Sequence, residues 1–177
     1  MATRKETLRP LLLIVLIVAA DQITKFLVVQ HITPLAEGGP IIQVFGEFLR
    51  LIHARNLGIA FSMGHTLDAG VRSILFAALP TVVLIVLMVY YFRTDELTQL
   101  QRWALVGIVG GGLGNLIDRV FRSAGVVDFI DVKIYGLFGM TRWPTFNVAD
   151  ASVVVCGILL VATMFIGEGS AEHEQEG

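Results

Sequence analysis

Four stretches of this chain stay apolar for nearly the thickness of a bilayer: residues 11–29, 73–92, 103–121 and 148–166. A helix of about 20 mainly apolar residues spans the hydrocarbon core, so each window predicts a transmembrane helix. Amphipathic aromatics stand at window ends, at Tyr90, Tyr91 and Trp103, where interfacial belts put them. Pro80 inside the second window predicts a kink of the kind membrane helices tolerate. Between the first two windows, residues 41–56 are rich in Ile, Val, Phe and Leu and are bounded by Gly38-Gly39-Pro40 and Asn56-Leu57-Gly58, as a hairpin or small sheet would be. The pattern as a whole predicts an all-α membrane protein with four transmembrane helices in up-down order. A small extracytoplasmic β-sheet, at about residues 38–62, is expected between helices 1 and 2, resting on the bilayer surface. Residues 1–167 form one polytopic domain in this reading, and the acidic stretch 168–177 is expected to be a disordered tail.

The first window has a rival reading. Arg4, Lys5 and Arg9, then an apolar run, then Val18-Ala19-Ala20 resemble a cleavable leader with its small-residue exit. Against it, Ile23, Phe26, Leu27, Val28 and Val29 carry the apolar stretch past that point, and Asp21 and Lys25 stand one helical turn apart in the order that favours an ion pair. Five basic residues, Arg4, Lys5, Arg9, Arg93 and Arg102, crowd the N-terminal tail and the second connection. The other eight spread over longer connections, so the flanking-charge rule predicts cytoplasmic N- and C-termini.

Composition narrows the class. Of 177 residues 55% are hydrophobic and only 16% charged, with a mean hydropathy of +0.74, whereas soluble domains carry about 25% charged residues. The formal charge of −2 and the scattered basic residues exclude a nucleic-acid-binding stripe. The single Cys156 excludes an intrachain disulfide and reads as a packing residue. His31, His53, His65 and His173 lack the spacing of a zinc site and read as surface or interfacial, so no metal or other cofactor is expected.

Ionisable residues in membrane spans are costly and mark function by default. Here they gather at one level. Asp21 and Lys25 close the first span, Asn115, Asp118 and Arg119 close the third, and Asn147 and Asp150 open the fourth. In an up-down arrangement these ends share the outer side, where the connections add Asn56, Ser62, Arg72 and Asp128. Asn115, Asp118 and Arg119 fall on one helix face, and Gly107, Gly110, Gly111 and Gly114 allow neighbouring helices to approach closely. Asp118 with Arg119, like Asp21 with Lys25, also reads as a structural ion pair. Asp128 in Val126-Val127-Asp128-Phe129-Ile130 and Asp150 between Ala149 and Ala151 are acids in apolar company. Such acids have a raised pKa unless paired. Two of them brought together share one proton and can activate water against a peptide bond.

Five blocks carry a more specific signal: Asp21-Gln22-Ile23-Thr24-Lys25, Asn56-Leu57-Gly58-Ile59-Ala60-Phe61-Ser62, Gly111 through Arg119, Val127-Asp128-Phe129-Ile130-Asp131, and Pro144-Thr145-Phe146-Asn147-Val148-Ala149-Asp150. In this order they resemble the signature blocks of the bacterial lipoprotein signal peptidase (signal peptidase II) family, from Asp21 to about Ala151. The resemblance implies an inner-membrane aspartyl endopeptidase acting near the extracytoplasmic face. Its substrates would be diacylglyceryl-modified prolipoproteins, cut just before the lipidated cysteine. It implies Asp128 and Asp150 as the catalytic pair, Asn56, Asn115, Arg119 and Asn147 as residues lining the site, and Asp118, Asp21 and Lys25 as support. It further implies a β-cradle around residues 41–56 and a connector near 64–72 closing over substrate, with lipids and the lipidated precursor as partners of a monomer. Leu57 and Ala151 depart from the family pattern, where Thr and Ser are common.

Rival readings remain at this level. Ser62 as nucleophile with Lys25 as base is one. A small proton-coupled transporter subunit is another, although it calls for acids on both sides of the membrane and the second span has none. A non-catalytic assembly factor is a third.

Overall fold

The computed structural model describes residues 4–57 and 69–173. Its long helices are α2 (Leu11–His31), α3 (Ala69–Arg93), α4 (Gln99–Phe121) and α5 (Val148–His173), preceded by a short α1 (Arg4–Leu8) that the sequence reading left as tail. Among the described residues, helices within Arg4–Glu37, Phe76–Arg93 and Gln99–Phe121 are long and apolar enough to cross a membrane, and Val148–Thr163 is a shorter apolar stretch. Each long helix extends past its apolar window. α4 starts four residues before Trp103 because Thr98 and Gln101 form a capping box, which satisfies orphan N–H groups that hydropathy does not register. Pro80 lies inside α3. Next to it the Thr81 hydroxyl donates to the Ala77 carbonyl at 2.7 Å.

α4 is the central helix, packed against α2, α3 and α5. Its glycines set the separation. A Cβ on Gly111 would lie 2.4 Å from the Ala149 carbonyl oxygen, and one on Gly114 would lie 2.7 Å from an Asp21 carboxylate oxygen. Cys156 packs its sulfur against Gly107. At the opposite end, Tyr91 donates to the Thr7 carbonyl (2.7 Å) and Arg102 lies over its ring, which ties α1 to α3 and α4.

The sheet differs from the expectation. β1 (Ile42–Phe45) and β2 (Leu49–Asn56) do form a hairpin between the first two long helices, but a third strand, β3 (Val126–Val132), arrives from beyond α4. The order is β1-β2-β3, all antiparallel, with Arg50 opposite Asp131 and Ala54 opposite Asp128. A register shift between Leu51 and Ala54 interrupts the ladder. Residues 126–129 are buried on both faces, so β3 shows no in-out alternation, the usual signature of a half-buried strand. Val127 and Phe129 pack on Val28 of α2 and on Ile32 just past its end, seating the sheet against the helices. Residues 58–68, with Ser62, His65 and most of the expected 64–72 connector, lie outside the described residues. α5 continues to His173, into the stretch read from sequence as tail.

Candidate active site

The segment Asn147-Val148-Ala149-Asp150 has the form of a helix start: an N-cap residue followed three positions later by an acid. The Asn147 side-chain oxygen accepts the Asp150 backbone N–H (2.9 Å), and the Asp150 carboxylate accepts the Asn147 N–H (3.1 Å). Just upstream, Phe146 pairs with Ile130 at the edge of β3 through backbone bonds of 2.8 and 3.1 Å. Asn147 is thereby delivered beside Asp128. Its amide nitrogen donates to Asp128 Oδ1 at 2.7 Å, with Asn115 Oδ1 at 3.0 Å and the Val127 carbonyl at 3.3 Å also in reach. The amide has two hydrogens, so the longest of these three contacts is the one left over.

Asn115 forms the next layer. Its amide donates to Asp150 Oδ1 (2.7 Å), and its oxygen accepts from Lys25 (2.9 Å). Asn56, at the end of β2, donates to Asp128 Oδ2 at 3.0 Å. Four elements therefore converge on two carboxylates, Asp128 and Asp150, linked through the single residue Asn147.

Behind this layer lies an ionic platform whose inner members, Asp21, Lys25 and Asp118, are fully buried. Lys25 Nζ stands 2.8 Å from Asp21 and 3.1 Å from Asp118, and with Asn115 all three of its donors are used. Asp118 also meets Arg122 at 2.9 Å and accepts the Val127 N–H at 3.1 Å, while Asp21 accepts the Ala149 N–H at 3.0 Å. Gln22 joins the two acids and the Gly114 carbonyl. Two cations and two anions balance, which sequestered charges require. The same bonds lock α2, α4, β3 and the start of α5 together.

Asp128 is 3% exposed. Burial, and after it the charge of Asp150, push its pKa from 3.8 to about 6, against the hydrogen bonds from Asn56 and Asn147 and the charge of Lys25. Such a group exchanges its proton near neutrality and can serve as acid or base. At the far end of β3, Asp131 moves the other way. Burial would raise it, but Arg142 and Arg50 hold it below the usual carboxylate range.

Of the residues singled out from the sequence, Asp128, Asp150, Asn56, Asn115 and Asn147 form one hydrogen-bonded cluster. Asp21, Lys25 and Asp118 lie directly beneath it. The ion pair of Asp21 with Lys25 is present. The alternative pairing of Asp118 with Arg119 is not: Asp118 turns to Lys25 and Arg122, and Arg119 Nε is buried without a hydrogen-bond partner among the described residues. Arg122 was missed although it stands four residues after an acid, the favourable order. His53 departs from the reading of the histidines as surface or interfacial groups. It is 2% exposed, with Nδ1 2.6 Å from the Ile32 carbonyl oxygen, in the part of β2 where the register with β3 shifts. Arg50 and Arg142 were missed because their partner Asp131 is found only through the sheet register.

Comparisons with known proteins show the family. The family described as Signal peptidase (SPase) II matches residues 13–166. The lipoprotein signal peptidase of Treponema pallidum (strain Nichols) is 45% identical over 158 residues, 89% of this chain and 83% of that protein. The lipoprotein signal peptidase of Treponema denticola is 46% identical over 166 residues, 94% of each. Among solved structures, a bacterial membrane enzyme determined by the in meso method at 2.3 Å is similar with a TM-score of 0.75 and 28% identity, covering 91% of this chain and 90% of that one. With a match across nearly all its length and relatives this similar in sequence, the chain belongs to the signal peptidase II family.

Proposed function

We propose that this protein is an aspartyl endopeptidase that removes signal peptides from diacylglyceryl-modified prolipoproteins, cutting just before the lipidated cysteine. Family membership makes it a bacterial membrane peptidase of lipoprotein processing. The aspartyl chemistry is our reading, and the observation that carries it is Asn147 donating to both Asp128 and Asp150 while Asp128 titrates at about 6.

In the proposed mechanism Asp128 enters protonated and Asp150 ionised. Asp150 takes a proton from water as the water oxygen bonds to the scissile carbonyl carbon, and Asp128 donates to the developing oxyanion. On collapse the C–N bond breaks, the proton held by Asp150 passes to the departing nitrogen, and Asp128 regains its own from the tetrahedral hydroxyl. Asn115 and Asn147 fix the two carboxyl groups throughout, and the Lys25 platform fixes Asn115.

We place this site near the extracytoplasmic face of the inner membrane, with both termini cytoplasmic. The basic residues Arg4, Lys5, Arg9, Arg93 and Arg102 flank the opposite helix ends, which supports that orientation. A substrate with its acyl chains in the bilayer presents its scissile bond at headgroup level, where the ends of α2 and α4 and the start of α5 meet. The test is incubation of the purified chain with a diacylglyceryl prolipoprotein, with and without chelator, followed by mass analysis of the products. Chelator-resistant cleavage before the lipidated cysteine, abolished in Asp128→Asn and in Asp150→Asn, is expected. Chelator-sensitive cleavage, or full activity in either variant, overturns the aspartyl mechanism.

A further inference from the structure

α3 and α4 meet where a Cβ on Gly112 would lie 2.5 Å from a Leu84 methyl carbon, and beside this contact an apolar groove of about 450 Å³ runs between them. Leu84, Met88 and Phe92, at successive turns of α3, form one wall, and Val109 and Leu113 of α4 form the other. From Thr81 to Phe92 the groove is about 16 Å long at the helical rise of about 1.5 Å per residue. That is close to the depth of one leaflet in a hydrocarbon core about 30 Å thick. Two of the lining residues carry polar groups. The Thr81 hydroxyl donates to the Ala77 carbonyl at 2.7 Å. Arg93, the last residue of α3, stands at the end of the groove with its guanidinium unpaired among the described residues.

This arrangement selects its occupant. An extended peptide would leave its N–H and C=O groups unpaired against Leu, Met and Phe. A second copy of this chain, packed α3 on α3 about a two-fold axis along the bilayer normal, would bring two Arg93 side chains to one level, like charges face to face. A phospholipid meets both parts of the groove. Its acyl chain asks nothing of the apolar walls, and its phosphate matches the planar fork of a guanidinium. The surrounding charge favours an anionic head, because α1 brings Arg4 and Lys5 to this same end of the bundle through the Tyr91 bond to Thr7. Asp95 and Glu96 stand in the connection beyond α3, but neither borders the groove. Arg102 is already occupied, donating to the Tyr91 and Thr94 carbonyls.

We infer that the groove between α3 and α4 binds an anionic phospholipid of the leaflet opposite the two carboxylates, its phosphate on Arg93 and one acyl chain along Leu84, Met88 and Phe92. Seating the chain gains little hydrophobic free energy, since lipid tails are as apolar as the walls. Selectivity therefore comes from the head, as it does in basic pockets between membrane helices. The groove takes no part in the hydrogen-bonded cluster around Asp128 and Asp150, so the inference is independent of the peptidase chemistry.

The test incubates the full chain in detergent micelles with dioleoyl phosphatidylglycerol or dioleoyl phosphatidylcholine and counts retained lipids by native mass spectrometry. The wild type should retain one phosphatidylglycerol at a concentration about tenfold below that needed for phosphatidylcholine, the order expected of a charge-assisted contact. Its unfolding temperature should rise more with phosphatidylglycerol than with phosphatidylcholine. Arg93→Gln should erase the preference, and Arg93→Lys, which keeps the charge, should restore most of it. Val89→Trp, which fills the groove, should lower retention of both lipids. Leu79→Trp, on the exposed surface of α3 outside the groove, should retain them as the wild type does. Inorganic phosphate should not displace the lipid. Equal retention of the two lipids, an unchanged preference in Arg93→Gln, or unchanged retention in Val89→Trp overturns the site. Displacement by inorganic phosphate, which marks a bare anion site, overturns it too, as does a dimer that Val89→Trp dissolves, which marks a second copy in the groove.

Discussion

Asn147 and Asp150 cap each other: the Asn147 side chain accepts the Asp150 N–H at 2.9 Å, and the Asp150 carboxylate accepts the Asn147 N–H at 3.1 Å. A motif that commonly begins a helix here also orients the carboxyl group that we propose as one of the reacting pair. The two roles separate by mutation. Asn147→Ala loses the cap, worth about 1 kcal/mol, and with it the donor to Asp128. Asn147→Ser keeps an oxygen for the Asp150 N–H, as a good N-cap residue, and loses the amide donor without adding a charge. Both variants should lose kcat by about 100-fold or more, the range for a displaced acid–base group, and Asn147→Ser should melt closer to the wild type than Asn147→Ala. Activity in Asn147→Ser near the wild-type level would remove Asn147 from the site.

The pH dependence follows from Asp128. Its working form is protonated in our mechanism, so kcat/KM should fall as pH rises through the alkaline limb set by its pKa of about 6. The hydrogen bond from Asn56 lowers that pKa by stabilising the carboxylate. Removing it in Asn56→Ala raises the pKa, and the limb should move to higher pH. A limb that stays in place, or moves to lower pH, contradicts the assignment of the proton to Asp128.

The same group carries a stability cost with an unusual sign. Most carboxylates have depressed pKa values in the folded state and add stability at neutral pH, but Asp128 is raised, so the folded state binds the proton more tightly than the unfolded one. Stability should therefore decline as pH climbs from about 4 to about 6 and stay low above, by about 3 kcal/mol at most, the range being set by 3.8 and about 6. Asp128→Asn cannot ionise there. Thermal unfolding in detergent at pH 5 and pH 8 should show Asp128→Asn gaining on the wild type as pH rises, while its cleavage activity is lost. A difference in melting temperature that does not change with pH would show that Asp128 is not destabilised by its burial.

Some of this architecture is legible in the sequence and some is not, for physical reasons. Helices α2 to α5 are legible as apolar runs, and the start of α4 falls before its run because Thr98 and Gln101 cap it. The pairing of Asp21 with Lys25 can be read because i to i+4 geometry is local. Strand β3 cannot, since its inner residues are buried on both faces and its partner β2 lies some seventy positions away. Arg50 with Asp131 depends on that same register. The common level of the polar residues follows from where they interrupt the apolar runs, and Asp128 and Asp150 stand out as acids in apolar company, while their role as a catalytic pair is what the resemblance implies. Geometry then brings both carboxylates to one asparagine.

The last prediction concerns the platform beneath the site. Lys25 lies wholly buried between Asp21 and Asp118, so Lys25→Met removes one cation and leaves two anions enclosed with Arg122 as their remaining counter-ion. Breaking a buried pair from one side costs about 3–5 kcal/mol, because the abandoned charge keeps its desolvation penalty. Replacing Asp21 by Asn as well removes one abandoned anion and keeps an oxygen for the Ala149 N–H. Lys25→Met should therefore unfold at markedly lower temperature, and the double variant with Asp21→Asn should recover part of that loss, giving a coupling of about 1–3 kcal/mol in a double-mutant cycle. Activity should not recover in step with stability, since Asn115 loses the Lys25 donor that orients its amide toward Asp150. Additive losses in the cycle would show that Lys25 and Asp21 act independently.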